Sequence, residues 1–558
     1  MSESDEKLAY PGEKVAAVVD YEKAVDNEEQ ESFKVDVKTG LYDGVQRNMK
    51  QRHIQMIALA GTLGTGLFLG SGKAIAHAGP AGALLAYIHV GTICYCMLMS
   101  LGEMMCYMPI SGGYIHFAER FIDPAMGFSL GWLQWYGGVV SLPTEIISAT
   151  LIIGFWDTGP DGSGMPSAHL AGYLTLLLFL CAAVNFLGVR WFGESEFIFA
   201  VIKIALVIGC IIGGLVIDLG GGPGHERIGF RYWKDPGAFA PFIVAGNTGK
   251  FLGWLQTLLQ AAYSYLGMES LAMTAAEVEN PRHALAKAVR RVFYRILMFY
   301  VFGILIVGML VPSNDDQLLQ STGTAASSPF VLAMTRVGIK GLPSVINAGV
   351  LTSAFSAGNS GLYGSSRQIY GLALRGQAPR IFAKTTKGGL PIVALSFSTI
   401  WILLSYMALS TGASTALNWL SNLTSILGFC TWGIISLTYI RFYQGLKHHG
   451  IDRTKFVYWN RFQPWPAYWA LAWSVVIVLF NGWSVFIKGE WDVSDFIIAY
   501  INIPIFVVLY GIYKVVRRSR FVSLEKMDFY SNVPPPETVD FDEPVPTTVG
   551  GKVWAFLF

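Results

Sequence analysis

From residue 54 onward the chain is a succession of apolar stretches separated by shorter polar segments. They run near 54–72, 80–107, 126–156, 170–188, 196–217, 251–276, 289–311, 343–370, 392–410, 416–440, 467–487 and 494–514. About 20 helical residues cross the ~30 Å hydrocarbon core of a bilayer. The pattern therefore predicts an all-α polytopic membrane protein with twelve transmembrane helices. The second, third and eighth stretches are longer than needed, which predicts tilt or extension past the bilayer.

Two of the stretches are interrupted. The first, Ile54–Gly72, contains Gly61, Gly64, Gly66, Gly70 and Gly72. Each glycine costs roughly 1 kcal/mol in a helix interior relative to Ala. Several together predict unwinding, which exposes backbone N–H and C=O groups at membrane depth. Close helix packing is the simpler alternative for such glycines. The sixth stretch is broken too, at Tyr263-Ser264-Tyr265-Leu266-Gly267-Met268-Glu269-Ser270. Breaks in corresponding places are the mark of a transporter built from inverted repeats. The expected organisation is a tail at 1–50, a first five-helix repeat at 51–217 and an outer loop at 218–250. A second repeat at 251–441, two appended helices within 442–516 and a tail at 517–558 follow. Freed N–H groups suit a carboxylate and freed carbonyls suit an ammonium. A site with both matches a zwitterionic amino acid.

Composition agrees with a membrane chain. It is 53% hydrophobic and 14% charged, with mean hydropathy +0.45 and net charge +2. That balance gives no reason to expect nucleic acid as a partner. Lys and Arg collect in the loops that follow even-numbered stretches, as at Arg290, Arg291, Arg375, Arg380, Arg453 and Arg461. The positive-inside rule then places both termini in the cytosol. The six cysteines fall in apolar segments and read as small buried hydrophobes. Residues 1–50 are polar, with the exposed lysines Lys7, Lys14, Lys23, Lys34 and Lys38 as candidate ubiquitylation sites. Gly70-Ser71-Gly72-Lys73 fails as a phosphate loop, because Ala74 stands where Ser or Thr is required. No nucleophile–base or metal constellation supports an enzyme. No ATP-binding cassette is visible either, so transport would be secondary, driven by a gradient, with no cofactor.

Four motifs carry a family resemblance. They are Gly61-Thr62-Leu63-Gly64-Thr65-Gly66-Leu67-Phe68, Pro109-Ile110-Ser111-Gly112-Gly113, Glu277-Val278-Glu279-Asn280-Pro281-Arg282 and Ser365-Ser366-Arg367. Together they resemble the fungal amino acid permeases of the amino acid–polyamine–organocation superfamily. The resemblance implies a leucine-transporter-like fold with a 5+5 inverted repeat, and proton-coupled amino acid uptake at the plasma membrane. It places the substrate carboxylate on the backbone of Gly64, Thr65 and Gly66, with Gly61 opening space beneath. It places the α-amine near carbonyls of Tyr263, Ser264 and Leu266. Tyr263 and Tyr265 are both candidate aromatic lids. The other readings are a permease for γ-aminobutyrate, choline or a polyamine, and an amino acid sensor with a transporter fold.

Ionisable residues at membrane depth complete the picture, since burying them is costly. Lys203 in the fifth stretch is the candidate for proton coupling, with a snorkelling lysine as the alternative. Glu145 in the third is a candidate for substrate binding or proton carriage. Glu269 is expected to organise or gate the sixth-stretch break. Glu103 is expected to be solvated at the cytosolic end of the second. Glu277, Glu279 and Arg282 are weaker gate candidates; Ser353, Ser356, Asn359, Thr424 and Ser425 are weaker lining candidates.

Overall fold

A computed structural model describes residues 64–531 except 111, 159–164, 274, 276–279, 316–317, 319–327 and 387–388, and beyond that range only 533 and 548. The chain divides into two units, Met1–Gln46 and Arg47–Phe558, and the first lies outside the described residues. So do the tail 1–50 with its lysines, Gly61, Glu277 and Glu279.

The described residues form helices joined by loops. A π-turn at Gly66–Gly70 leads into α1 (Ser71–Tyr107), followed by α2 (Gly113–Phe121), α3 (Pro124–Ile153), α4 (Ser167–Phe186) and α5 (Val189–Asp218). Next come α6 (Gly246–Tyr265), α7 (Pro281–Arg295) and, after a π segment at Ile296–Val301, α8 (Phe302–Leu310). Then follow α9 (Pro329–Arg336), α10 (Leu342–Leu374), α11 (Ile392–Ile400), α12 (Ala408–Thr411) and α13 (Ala413–His448). The last are α14 (Trp465–Phe480), α15 (Val493–Tyr500) and α16 (Asn502–Arg517).

Local chemistry fixes several boundaries. Asp123 caps α3 by accepting from the Ala125 N–H at 2.9 Å, and Pro124 at the first helical position needs no donor partner. Gly79 lies inside α1 at φ 75°, ψ 171°, directly before Pro80. This is the junction between the first two apolar stretches: one non-helical glycine, not a loop, turns the chain. A Cβ there would sit 2.6 Å from the Ala240 nitrogen, so only glycine fits.

Among the described residues, seven helical segments are long and apolar enough to cross a membrane, and α15 with α16, bent by 44°, make an eighth if the pair is one span. Of the other long helices, α14 has only 16 residues. The remaining two, α6 and α10, are the polar ones. α6 opens on Gly246-Asn247-Thr248-Gly249-Lys250, and α10 buries Asn347, Ser353, Ser356 and Asn359. α10 packs most extensively on α3, and α1 on α6. α4, α5 and α16 carry the outer apolar surface, with Phe179, Ile198, Ile212 and Val508 more than half exposed.

Candidate functional site

The two sequence breaks are built differently. At the first, Gly64 lies in a bend and Thr65 leads into the π-turn, a widened geometry often found at functional sites. At the second, α6 stops at Tyr265, Leu266 is extended at φ −61°, ψ 150°, and Gly267 takes the left-handed φ of 91°. A short 3-10 turn, Met268–Ala272, resumes the chain. The last four carbonyls of α6 therefore lack intrahelical donors. The breaks touch each other. A Cβ on Gly66 would lie 2.8 Å from Ser264 Cα and 3.0 Å from its nitrogen.

Glu145 stands where they meet. Pro143 just before it removes one N–H from the α3 ladder. The Glu145 side chain is buried. Its Oε1 accepts from the Tyr263 hydroxyl at 2.8 Å, and the Thr65 hydroxyl lies 3.2 Å from Oε1 and 3.0 Å from Oε2. Thr65 comes from the first break and Tyr263 from the end of the helix before the second. α10 closes the far side, where a Cβ on Gly358 would sit 3.6 Å from that of Glu145.

Lys203 of α5 is fully buried and interacts electrostatically with Glu196 and Glu145. Glu196 accepts from Ser356 at 2.7 Å and from Asn359 at 3.0 Å, while Asn185 donates to the Asn359 side-chain oxygen at 2.7 Å. Sequence reading passed over Glu196 because it sits at the polar edge of its stretch. Its signal was the spacing: Glu196 and Lys203 are seven residues apart, two helical turns on one face. Ser356 and Asn359 thus serve Glu196 and, through it, the lysine.

The remaining predicted residues separate. Tyr265 turns away from Glu145: its hydroxyl donates to the Tyr87 carbonyl at 3.0 Å, and its ring packs 4.3 Å from that of Tyr300. The Ser264 hydroxyl lies 3.1 Å from that of Tyr87. Leu266 packs over Gly428 of α13. Glu269 accepts from the Gly267 N–H at 3.4 Å and from the buried Trp432 indole at 3.2 Å, tying the second break to α13. Thr424 and Ser425 donate to their own backbone, at Leu420 and Ser421. Arg282 is buried near the start of α7. Glu103 corrects an expectation. It is fully buried rather than solvated, accepting from Tyr439, from Arg453 at 3.0 Å and from the Asn460 N–H at 2.6 Å. The loop between α13 and α14 folds over it and excludes water.

Comparison with known proteins adds the family. Residues 53–526 match the amino acid permease family. The chain is 37% identical to the dicarboxylic amino acid permease of Saccharomyces cerevisiae, over 87% of this chain and 80% of that protein. It is 38% identical to the proline-specific permease of Emericella nidulans, over 88% and 89%. It is 37% identical to a lysine/arginine permease of Candida albicans, over 92% and 89%. A match that runs from the first break through the last helices leaves one assignment: this chain is a multi-pass membrane protein of the amino acid permease family.

Proposed function

We propose that this permease carries amino acids into the cell across the plasma membrane, coupled to protons, by alternating access. The observation that carries the reading is the buried Glu145 carboxylate, held by Thr65 of the first break and by Tyr263 beside the second. In this reading the backbone of Gly64–Gly66 takes the substrate carboxylate, and the carbonyls of Tyr263, Ser264 and Leu266 take its ammonium. Relatives named for acidic, neutral and basic substrates match at similar identity. The shared α-amino acid headgroup is therefore the natural target, with side-chain choice made elsewhere.

Coupling has its own support. Glu145 and Glu196 face one ammonium, Lys203. A second positive charge, a proton or the substrate's ammonium, would balance the cluster, and two ligands competing to supply it are thereby linked. Repeat symmetry is supported by packing. The π-turn of span one packs on α6 of span six, and α3 of span three on α10 of span eight, pairs from corresponding places in a 5+5 repeat. Twelve spans with cytosolic termini, and lipid against the apolar faces of α4, α5 and α16, complete the proposal. A γ-aminobutyrate permease would use the same carboxylate cradle; choline and polyamines would not.

The test is uptake of one labelled amino acid by cells making the protein, competed by all twenty. Accumulation should rise with external acidity and collapse with a protonophore. Uptake indifferent to both would remove the proton; absence of competition by any amino acid would remove the substrate class.

A further inference from the structure

A second polar cluster lies outward of Glu145. Lys73 is eight residues past Thr65 along α1, toward the Gly79 turn. At about 1.5 Å per residue the two are ~12 Å apart along the helix. The Lys73 ammonium donates to the side-chain oxygen of Asn418 on α13. Among the described residues no carboxylate pairs with it. One turn on, His77 meets Gln260 of α6 at 3.0 Å, and its ring packs 4.5 Å from that of Phe242. Gln256 and Gln260, one turn apart, each hold a side-chain oxygen with no hydrogen-bond donor. The five residues are each partly exposed, while the two glutamine oxygens themselves are shielded. In the orientation proposed above, this end of α1 faces outward.

This arrangement is unbalanced. A half-buried ammonium resting on one neutral amide is poorly compensated, and carbonyls without donors are costly. The missing partners are an anion beside Lys73 and a donor beside the glutamines. A zwitterion supplies both. The Lys73–Asn418 bond also ties α1 to α13, so an anion that takes the ammonium from Asn418 releases that tie.

We propose that Lys73 and Asn418, with His77, Gln256 and Gln260, form an outer station. It captures the α-carboxylate of an incoming amino acid before it reaches Gly64–Gly66. The station rests on the transport function and orientation proposed above. Lys73 holds the carboxylate, the glutamine oxygens receive the ammonium, and loss of the Lys73–Asn418 bond opens the way inward. Because the headgroup is common to all substrates, the station adds capture without side-chain selectivity.

Uptake kinetics in intact cells test it, normalised to surface protein and using whichever of proline, aspartate and lysine the wild type accumulates. Lys73→Met should raise KM about tenfold for each, the worth of one charge-assisted contact, with Vmax within about twofold. Lys73→Arg should stay near wild type. Lys73→Cys should show the raised KM, and an external cationic, membrane-impermeant methanethiosulfonate should restore it where an anionic one does not. Wild type treated alike controls for the six native cysteines. An unchanged KM in Lys73→Met overturns the station while leaving transport standing. So does lower Vmax at constant KM, which marks a mere helix tie, or a rise confined to aspartate, which marks a side-chain selector. If the wild type accumulates no amino acid, the transport function fails first and the station with it.

Discussion

Gly66 and Gly70 bound the same π-turn yet face different surroundings. A Cβ on Gly66 meets the backbone of Ser264, whereas one on Gly70 meets nothing within 4 Å. Backbone cannot move aside as a side chain can, so overpacking of about 1–3 kcal/mol falls on the contact between the breaks. Gly66→Ala should lower uptake at least about tenfold, while Gly70→Ala keeps it within about twofold. Surface-normalised uptake decides, and equal behaviour of the two would show that the breaks need not touch. Glu145→Gln asks a separate question. The amide keeps the shape and an acceptor for Tyr263 but removes the charge facing Lys203. The protein should still reach the surface, and uptake should lose its stimulation by external acid. Persistent stimulation would move the proton elsewhere. Thr65, Glu145 and Tyr263 each stood out in the sequence because broken helices and a carboxylate at membrane depth are both anomalies in an apolar pattern; that their side chains meet was not legible there. Nor was it legible which tyrosine faces Glu145. Tyr263 and Tyr265 lie at the very end of α6, where the helix stops and spacing no longer fixes direction.

At the scale of elements, every apolar stretch from the second onward carries a helix at nearly the expected place. Hydrophobic periodicity reports where a segment is apolar, and helices follow. What it cannot report is which polar loop covers a helix end, as the Glu103 misreading shows. The 449–464 loop lays Arg453 and the Asn460 N–H on Glu103, Gln463 on Ser100 at 2.9 Å, and Phe456 against the Tyr107 ring at 4.4 Å. Long-range folding buries a residue that looks solvated in the linear chain. The consequence is measurable. Removing one member of a buried ion pair costs about 3–5 kcal/mol, because the other charge is stranded. Glu103→Ala should therefore lower the detergent melting temperature and the surface yield more than Glu103→Gln, which keeps an acceptor for Tyr439. Equal melting of both variants and wild type would mean the loop is not anchored there.

At the scale of the whole molecule, the segment after α16 closes a face that the chain pattern had left as a tail. The Val522 N–H donates to the Ile122 carbonyl at 2.9 Å, and Arg441 donates to the Val522 carbonyl at 2.6 Å. Phe529 is buried, its ring stacked 5.4 Å from that of Phe121 and tilted 5.8 Å from that of Phe442. Arg120 at the end of α2 pairs with Asp528 at 2.7 Å. One short segment thus joins α2 to the end of α13. Phe521, Val522, Leu524, Met527 and Phe529 are spaced too irregularly among Ser523, Glu525, Lys526 and Asp528 to announce this in sequence. The docking has a defined pH range. Partial burial pushes the Asp528 carboxyl up, but donation from Ser531, the Tyr530 N–H and Arg120 outweighs it and holds the group below its ordinary 3.8. The folded protein then binds this proton more weakly than the unfolded chain. Its contribution is fully present above pH 3.8 and is lost only as pH falls through the depressed value. Protection of the segment from limited proteolysis in detergent should accordingly be flat from about pH 8 to about pH 5. Phe529→Ala removes a buried ring worth about 3–5 kcal/mol and should expose the segment to cleavage across that whole range. If Phe529→Ala is cut no faster than wild type, the segment is held by something other than this pocket. If wild-type protection falls between pH 8 and pH 5, a group other than Asp528 controls it.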